Sequence, residues 1–276
     1  MKIICKSGFN ISLMKVLPVI LITAFLFSCA IVPLTGRKQV NFIPNSEIHA
    51  MSFAQYDEFL KSNPVVEGTD DAKMVKRAGR RIKEAVERYF AREGMSAHLS
   101  GYAWEFNLVD NSKVNAWCLP GGKVVIYSGI LPVTKTEEGL AVVMGHEIAH
   151  AIAEHGSERM SHQMMAQLGG MALSKAIEEK PEKTRALFMT AFGIGTQLGA
   201  MLPYSRLHES EADHLGLIFM AMAGYDPREA VSFWKRMAAE KDGNAPPEFL
   251  STHPSDQNRV DDLKKLLPEA LKYYGK

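Results

Sequence analysis

His146-Glu147-Ile148-Ala149-His150 is the stretch that decides the fold. Its two histidines are four residues apart, so on a helix they lie on one face, one turn apart, where both imidazoles can reach one ion. Imidazole nitrogen is a preferred ligand of zinc. Glu147 adjoins the first histidine, where it can accept a proton from an attacking water. The motif therefore predicts a catalytic zinc site on a helix.

The residues on both sides of this motif are almost all apolar, with Leu140, Ala141, Val142, Val143 and Met144 before it and Ala151 and Ile152 after it. A helix that is apolar all round lies inside the protein. Thr134-Lys135-Thr136-Glu137 fits a capping box that starts this helix, and we expect it to run to about His155. A metal site is favoured over a solvated helix face, because a buried histidine pair needs a partner.

A third ligand is expected in Glu209-Ser210-Glu211-Ala212-Asp213, on another predicted helix. Glu209 and Asp213 share a helix face, whereas Glu211 points about 200° away from Glu209. We favour Glu209 as the ligand, with Asp213 accepting the free N–H of a ligating histidine. Glu211 is the rival ligand. The other histidines are interpreted as surface or packing residues: His49, His98, His155, His162, His208 and His214.

The first 30 residues contain the parts of an export signal: Lys15, an apolar run over residues 16–27, and then Ser28-Cys29-Ala30. The run is too short to span a bilayer. Leu26-Phe27-Ser28-Cys29 resembles a bacterial lipobox, so we expect residues 1–28 to be a signal peptide and Cys29 to carry a lipid anchor. A plain signal peptide or an uncleaved anchor is the alternative, and translation could begin at Met14. These features predict a lipid-anchored protein of a bacterial cell envelope, facing the periplasm on the outer membrane.

Composition and periodicity describe the rest of the chain. The 276 residues are 46% hydrophobic with a net charge of +1, so charge does not indicate a nucleic-acid partner. Residues 29–45 are predicted to be a tether and residues 46–276 one domain. We expect an α+β fold, mainly α-helical, with a small antiparallel sheet formed by residues 104–109, 114–119 and 123–127. Helices are predicted at about residues 46–62, 70–92, 134–155, 157–178, 183–200 and 206–224, and from residues 227 and 255 onward.

Residues 157–203 are predicted to be two helices rich in methionine, alanine and glycine. The favoured interpretation is that they pack over the active-site helix, and the alternative is a mobile lid. Their most apolar part, residues 191–202, is too short to span a membrane.

Further motifs follow in a fixed order around the site: Asn115-Ala116-Trp117-Cys118-Leu119-Pro120-Gly121-Gly122, Tyr127-Ser128-Gly129-Ile130-Leu131, Tyr204-Ser205-Arg206, Gly224-Tyr225-Asp226-Pro227 and Thr252-His253-Pro254-Ser255. With the motif at residues 146–150 and the acidic cluster at residues 209–213, they resemble metallopeptidase family 48 over residues 105–260. That family includes the CAAX prenyl endopeptidases, HtpX and the OMA-like proteases. Residues 32–37 are similar to the tether of its periplasmic lipoprotein branch.

This resemblance implies a zincin-type fold with one zinc ion per chain, held by His146, His150 and Glu209, and with Glu147 as general base. His253 is similar to the position that stabilises the transition-state oxyanion. Cys118 is expected to be a half-buried thiol without a catalytic role.

The resemblance also concerns the strand that carries Asn115, Ala116 and Trp117. It implies that this strand is a sheet edge, which binds extended peptides by strand addition. The simpler interpretation is an ordinary sheet edge.

The expected function is a zinc metalloendopeptidase that cleaves extended or unfolded segments of cell-envelope proteins, with unfolded or misassembled proteins as its partners. The alternative is a non-catalytic lipoprotein in which zinc is a structural staple and which acts as a chaperone-like binding module. A structural zinc site has four protein ligands, and the sequence suggests only His208 or His214 as the fourth. The oligomeric state is left open by these motifs.

Overall fold

The computed structural model describes residues 29–240, 247–253 and 258–275. Over these residues the protein is mainly helical with two small sheets, which confirms the expected α+β class. The predicted signal peptide, residues 1–28, lies outside the described residues. So does Ser255, where the last helix was expected to begin.

The described chain begins with a hairpin in which β1 (Cys29–Ile31) pairs antiparallel with β2 (Lys38–Val40). Two helices follow, α1 (Asn45–Ser62) and α2 (Asp70–Arg92). Thr69, and not Asp70, caps α2, because the Thr69 hydroxyl accepts a hydrogen bond from the N–H of Ala72 at 3.1 Å.

The second sheet contains β3 (Glu105–Val109), β4 (Ala116–Leu119) and β5 (Lys123–Tyr127) in the order β3-β5-β4. β4 is antiparallel to β5, but β3 is parallel to it, so the expectation of a wholly antiparallel sheet is wrong. After β3 the chain forms β4 at the opposite edge of the sheet, and then β5 between β3 and β4. β5 is accordingly buried along its whole length, as a central strand is.

Eight helices are described after the sheet: α3 (Leu131–Thr134), α4 (Glu137–Ile152), α5 (His155–Ala176), α6 (Glu182–Thr196), α7 (Leu202–Met222), α8 (Glu229–Ala239), α9 (Glu248–Thr252) and α10 (Arg259–Ala270). α4 is the predicted active-site helix, and it packs on α2, α7, α8 and β4. Its cap is Thr136, whose hydroxyl accepts from the N–H of Gly139 at 3.1 Å. The predicted cap, Thr134, instead ends α3. Every residue from 139 to 149 is buried, as its apolar sequence predicts.

Two glycines set the separation of α4 and α7. A Cβ atom added at Gly145 would lie 2.8 Å from the carbonyl oxygen of Gly216, and one added at Gly216 would lie 2.9 Å from the backbone nitrogen of His146. Both contacts are with backbone, which cannot move aside as a side chain can. The two helices therefore approach closely only because both positions are glycine.

We expect Gly216→Ala to lower the free energy of unfolding by about 1–3 kcal/mol, because the added methyl group forces α7 away from α4. Denaturant unfolding measures this change. Gly193→Ala is the matched control, since a Cβ there has nothing within 4 Å, and in α6 it should be neutral or stabilising by up to about 1 kcal/mol. An equal loss of stability in the two variants would contradict the close-approach explanation.

Residues 29–45 were predicted to be a tether, but they fold against the domain. Val32 is 0% exposed and belongs to the main hydrophobic core. Arg37 forms ion pairs with Glu158 on α5 and Glu211 on α7. The segment therefore gains both apolar burial and buried ion pairs, neither of which a free tether would have.

The helices predicted for residues 157–203 do not cover α4. The buried residues of α5 lie in its first turns and end at His162, and the described side chains of α6 include none that is buried. The two helices therefore project from the domain, and they expose large apolar side chains: Met164, Leu168, Met171, Leu187, Phe188 and Ile194.

No break separates α6 from α7. A π turn at Gln197–Met201 joins them into one helix, Glu182–Met222, of 41 residues. By length and composition alone this helix could cross a membrane. Its C-terminal half packs in the core, where Leu215, Ile218 and Phe219 are buried, so the exposed apolar part is the N-terminal half.

Candidate metal centre

Four side chains converge beside the middle of α4. His146 and His150 come from α4, Glu209 comes from α7, and His253 lies directly after α9. One possible ligand atom from each lies within 4.8 Å of the other three. His146 Nε2 is 3.1 Å from His150 Nε2 and 3.4 Å from Glu209 Oε2. Imidazole nitrogens and a carboxylate oxygen that converge in this way form a site for one divalent metal ion.

The ionisation of His150 and Glu209 fits a metal site. Burial would lower the pKa of His146, but Asp213 and Glu209 raise it to about 9, so this ring must release a proton when a metal binds. Burial lowers the pKa of His150 well below its usual value, so its imidazole is neutral, as a ligand must be. Burial would raise the pKa of Glu209, but hydrogen bonds from His146, His150 and His253 outweigh burial and lower it. The Glu209 side chain is therefore an anion among imidazoles, which is the charge that a cation needs.

Asp213, one turn after Glu209 on α7, lies where the sequence placed it, beside the outer nitrogen of His146. The Asp213 Oδ1–His146 Nδ1 distance is 3.0 Å. Arg259 of α10 donates to the same Asp213 oxygen at 2.7 Å and stacks over the ring of Trp234. Burial would raise the pKa of Asp213, but Arg259 and His146 lower it, so the carboxylate stays ionised and orients His146. Nothing in the sequence around Arg259 indicated this contact.

Glu147 is buried next to the converging ligands, and burial raises the pKa of its carboxyl group. One oxygen accepts a hydrogen bond from the backbone N–H of Cys118 in β4. The other, Oε1, is buried without a hydrogen-bond partner among the residues that the structure describes. A buried acceptor without a donor is costly, and a water molecule held at the metal site would supply that donor.

A cleft of about 540 Å³ opens onto this site. β4 forms one wall through Trp117, Cys118 and Leu119, and α7 with the π turn forms another through Met201 and Tyr204. β4 is the edge strand predicted from the sequence. Cys118 is half-buried in this wall, as expected.

Asn115 and Ala116, the other residues named for the substrate strand, make contacts within the protein. The N–H of Ala116 donates to the side-chain oxygen of Asn115 at 2.9 Å, so this group is not free in the described state. The side-chain nitrogen Nδ2 of Asn115 donates a hydrogen bond to Glu248 Oε1 at 3.0 Å. Asn115 thereby ties the edge strand to α9, the helix that ends beside His253.

His253 lies deeper than the sequence indicated. Its Nδ1 is 3.2 Å from His146 Nε2 and 3.1 Å from Glu209 Oε1, and its Nε2 is 3.3 Å from Glu147 Oε1. The ring therefore lies among the ligand atoms as a fourth candidate. Sequence analysis did not identify a fourth ligand here, because His253 is far from the other ligands in the chain and stands alone in a loop-like Thr-His-Pro motif.

Glu211, the rival third ligand, does not face the metal site. It binds His155 instead, at 3.0 Å. His155 and His208 were interpreted as surface or packing residues, but both are buried and hydrogen-bonded to carboxylates. The signal that could have found His155 is its position five residues after His150, at the predicted end of α4.

Several relatives of known description are similar to this chain. The mitochondrial metalloendopeptidase OMA1 of Schizosaccharomyces pombe is 35% identical over 190 residues, which is 68% of this chain and 53% of the relative. Human mitochondrial metalloendopeptidase OMA1 is 31% identical over 258 residues, 87% of this chain and 46% of the relative. The β-barrel assembly-enhancing protease of Escherichia coli is 30% identical over 169 residues, 58% of this chain and 34% of the relative. The chain spans about half the length of the curated relatives it matches, or less.

These similarities correct the predicted location. The relatives that match the largest shares of the chain are described as mitochondrial. The predicted location, on the periplasmic face of a bacterial outer membrane, is therefore wrong. A lipid on Cys29 stays a prediction, because residues 1–28 and the Cys29 side chain lie outside what the structure describes.

Residues 76–267 match the model of peptidase family M48. This stretch contains α4 with both histidines and Glu147, the α7 carboxylates Glu209 and Asp213, and the β4 edge. It is more than half of the chain, and it agrees with the fold and with the clustered side chains. The chain belongs to peptidase family M48.

Proposed function

We propose that the protein is a zinc metalloendopeptidase that hydrolyses peptide bonds in extended or unfolded segments of proteins. The observation that carries the proposal is the position of Glu147. Its buried Oε1, 3.3 Å from His253 Nε2, lies beside the convergent atoms of His146, His150 and Glu209, at the floor of a cleft bordered by an edge strand. The names of the relatives support this proposal.

His146, His150 and Glu209 would hold one zinc ion per chain. When bound, zinc supplies Lewis acidity that lowers the pKa of a water molecule and polarises the scissile carbonyl. Glu147 accepts the proton of the attacking water and returns it to the leaving amine. Its raised pKa suits this task, because a carboxylate with an ordinary pKa would be a weaker base at neutral pH. Asp213 keeps His146 in the tautomer with a bare Nε2.

The substrate would lie along β4 in an extended conformation. A sheet edge binds a peptide through backbone hydrogen bonds, which depend little on the side chains of the peptide. Only a segment without its own secondary structure has these groups free, so unfolded or misassembled proteins are the proposed substrates. The ring of His253, beside Glu147, is placed to donate a hydrogen bond to the oxyanion that forms on the carbonyl.

A second candidate function rests on the same histidine. If His253 is a fourth zinc ligand, the site is closed, and zinc would be a structural staple in a non-catalytic binding protein. His253→Ala separates the two. If the zinc site is structural, this variant should lose zinc and stability. If the site is catalytic, the variant should keep zinc and change only its turnover rate.

The experiment that tests the proposal compares cleavage of one protein in two states. We expect the wild type to cleave reduced, carboxymethylated lysozyme at internal bonds and to leave folded lysozyme intact, because the edge strand accepts only extended chain. A strong chelator should abolish cleavage, and added zinc should restore it. Mass spectrometry of the products measures both effects. Absence of cleavage of the unfolded form by zinc-loaded protein would refute the proposed activity.

A further inference from the structure

Among the residues that the structure describes, His150, unlike His146, has no carboxylate within hydrogen-bond distance of its outer nitrogen. Its Nδ1 lies 2.8 Å from Nδ1 of His155, the first residue of α5. His150 Nε2 faces the ligand cluster, at 3.1 Å from His146 Nε2. A ligating nitrogen must be bare, so His150 carries its proton on Nδ1 and donates it to His155.

This hydrogen bond fixes the protonation of the next ring. His155 Nδ1 acts as acceptor, so its proton is on Nε2, which lies 3.0 Å from Glu211 Oε2. His155 is 0% exposed, so bulk solvent does not reach either nitrogen.

Glu211 is in turn held by the N-terminal hairpin. Arg37 Nε donates to Glu211 Oε2 at 2.8 Å, and the Thr35 hydroxyl donates to Glu211 Oε1. The remaining two nitrogens of the Arg37 guanidinium bind both oxygens of Glu158 at 3.0 and 2.8 Å. One arginine thus pairs with two buried carboxylates, and its planar fork fits both.

The residues that directly follow the hairpin bind the corner between α4 and α5. Glu154 adopts a left-handed conformation there with φ of 55°, which is uncommon for a residue with a side chain. The amides of Asn41 and Asn45 donate to its two carboxylate oxygens. The corner decides where His155 begins α5, so the N-terminal segment fixes both the place and the partner of His155.

We propose that His155, Glu211 and Arg37 are positioning residues for the ligand His150, so that the N-terminal hairpin is a working part of the zinc centre. This rests on the proposed function only in taking zinc as the metal that His150 binds. The two ligands on α4 then have equivalent supports. His146 is oriented by Asp213 and Arg259, and His150 is oriented by His155, Glu211 and Arg37.

Zinc affinity, measured by competition with a chromogenic chelator, tests the proposal on the full chain. Loss of the direct outer partner of a ligand usually weakens metal binding by about 10–100-fold. Glu211 and Arg37 act through His155, so we expect Arg37→Ala and the isosteric Glu211→Gln each to weaken zinc binding by up to about this factor. In the cobalt-substituted protein the visible absorption bands should shift in both variants, because a misoriented imidazole changes the ligand field.

Arg236→Ala is the matched control. Arg236 donates to Glu229 at 2.7 Å and to the carbonyl of Val133 at 2.8 Å, and it is partly buried like Arg37, but neither partner is a candidate ligand or contacts one. It should lose stability while zinc affinity and the cobalt spectrum stay unchanged. A purely structural role of Arg37 would make the two arginine variants behave alike in all three measurements.

Unchanged zinc affinity in folded Arg37→Ala overturns the proposal. If that variant does not fold, Glu211→Gln decides, and unchanged affinity there overturns it as well. In either case wild-type zinc binding and cleavage would leave the proposed function standing. A wild type that binds no zinc overturns both.

Discussion

Glu147→Gln should lower kcat/KM for unfolded polypeptide by about 10²–10⁴-fold, the contribution typical of a general acid and base, while the protein keeps its zinc. The amide has nearly the shape of the carboxylate, but it cannot accept the proton of the attacking water. Glu147 is buried, and glutamine can keep the 3.3 Å contact between Oε1 and His253 Nε2, so the replacement removes mainly the charge. Steady-state kinetics with a quenched fluorescent peptide, and metal analysis of the same sample, measure the two quantities.

Glu138→Gln is the matched control for this variant. It makes the same chemical change in the first turn of α4, where the side chain is exposed. It should leave both activity and zinc content unchanged. Loss of zinc in Glu147→Gln would show that Glu147 is a ligand or a structural residue, and the assignment of the base would then be wrong.

Glu209→Ala should lower zinc affinity more than Glu147→Gln does. Glu209 contributes the only carboxylate among the four convergent side chains. Without it the ion loses both a ligand and the anion that offsets its charge, so we expect zinc affinity to fall well beyond the roughly 10–100-fold that loss of an outer partner causes. Activity should be lost at zinc concentrations that saturate the wild type. Isothermal titration of metal-stripped protein measures the affinity.

Glu211→Gln provides the comparison for Glu209→Ala, since the two acidic residues are neighbours on α7 and were rival ligands. The geometry requires that the Glu209 variant lose more affinity than the Glu211 variant. The opposite order would assign the ligand role to Glu211 and contradict the described arrangement of α7.

The metal-site helix could be predicted from sequence because its signals are local. The spacing of His146 and His150 and the apolar residues around them lie within one helix, where periodicity fixes which side chains share a face. The same reasoning separates Glu209 from Glu211, and Glu211 does point away from the ligands. Thr136, and not Thr134, caps the helix. The sequence could not distinguish the two threonines, because both fit the cap signal and only the backbone conformation decides between them.

The parts that sequence did not predict depend on contacts between distant segments. Arg37 lies in a stretch that resembles a tether, yet it binds carboxylates on α5 and α7. His253 joins the ligand cluster from the far end of the chain, and the Gly145–Gly216 contact depends on two helices. The parallel pairing of β3 with β5 is equally nonlocal, since the sequence of one strand does not determine whether its neighbour is parallel or antiparallel.

Titration of metal-stripped wild-type protein with zinc, while cleavage of an unfolded polypeptide is followed, tests the central claim most directly. The arrangement of His146, His150 and Glu209 around one ion predicts that activity rises with added zinc and reaches its plateau at one equivalent per chain. Activity that is already present without metal, or full occupancy of one zinc per chain without any cleavage, would contradict it.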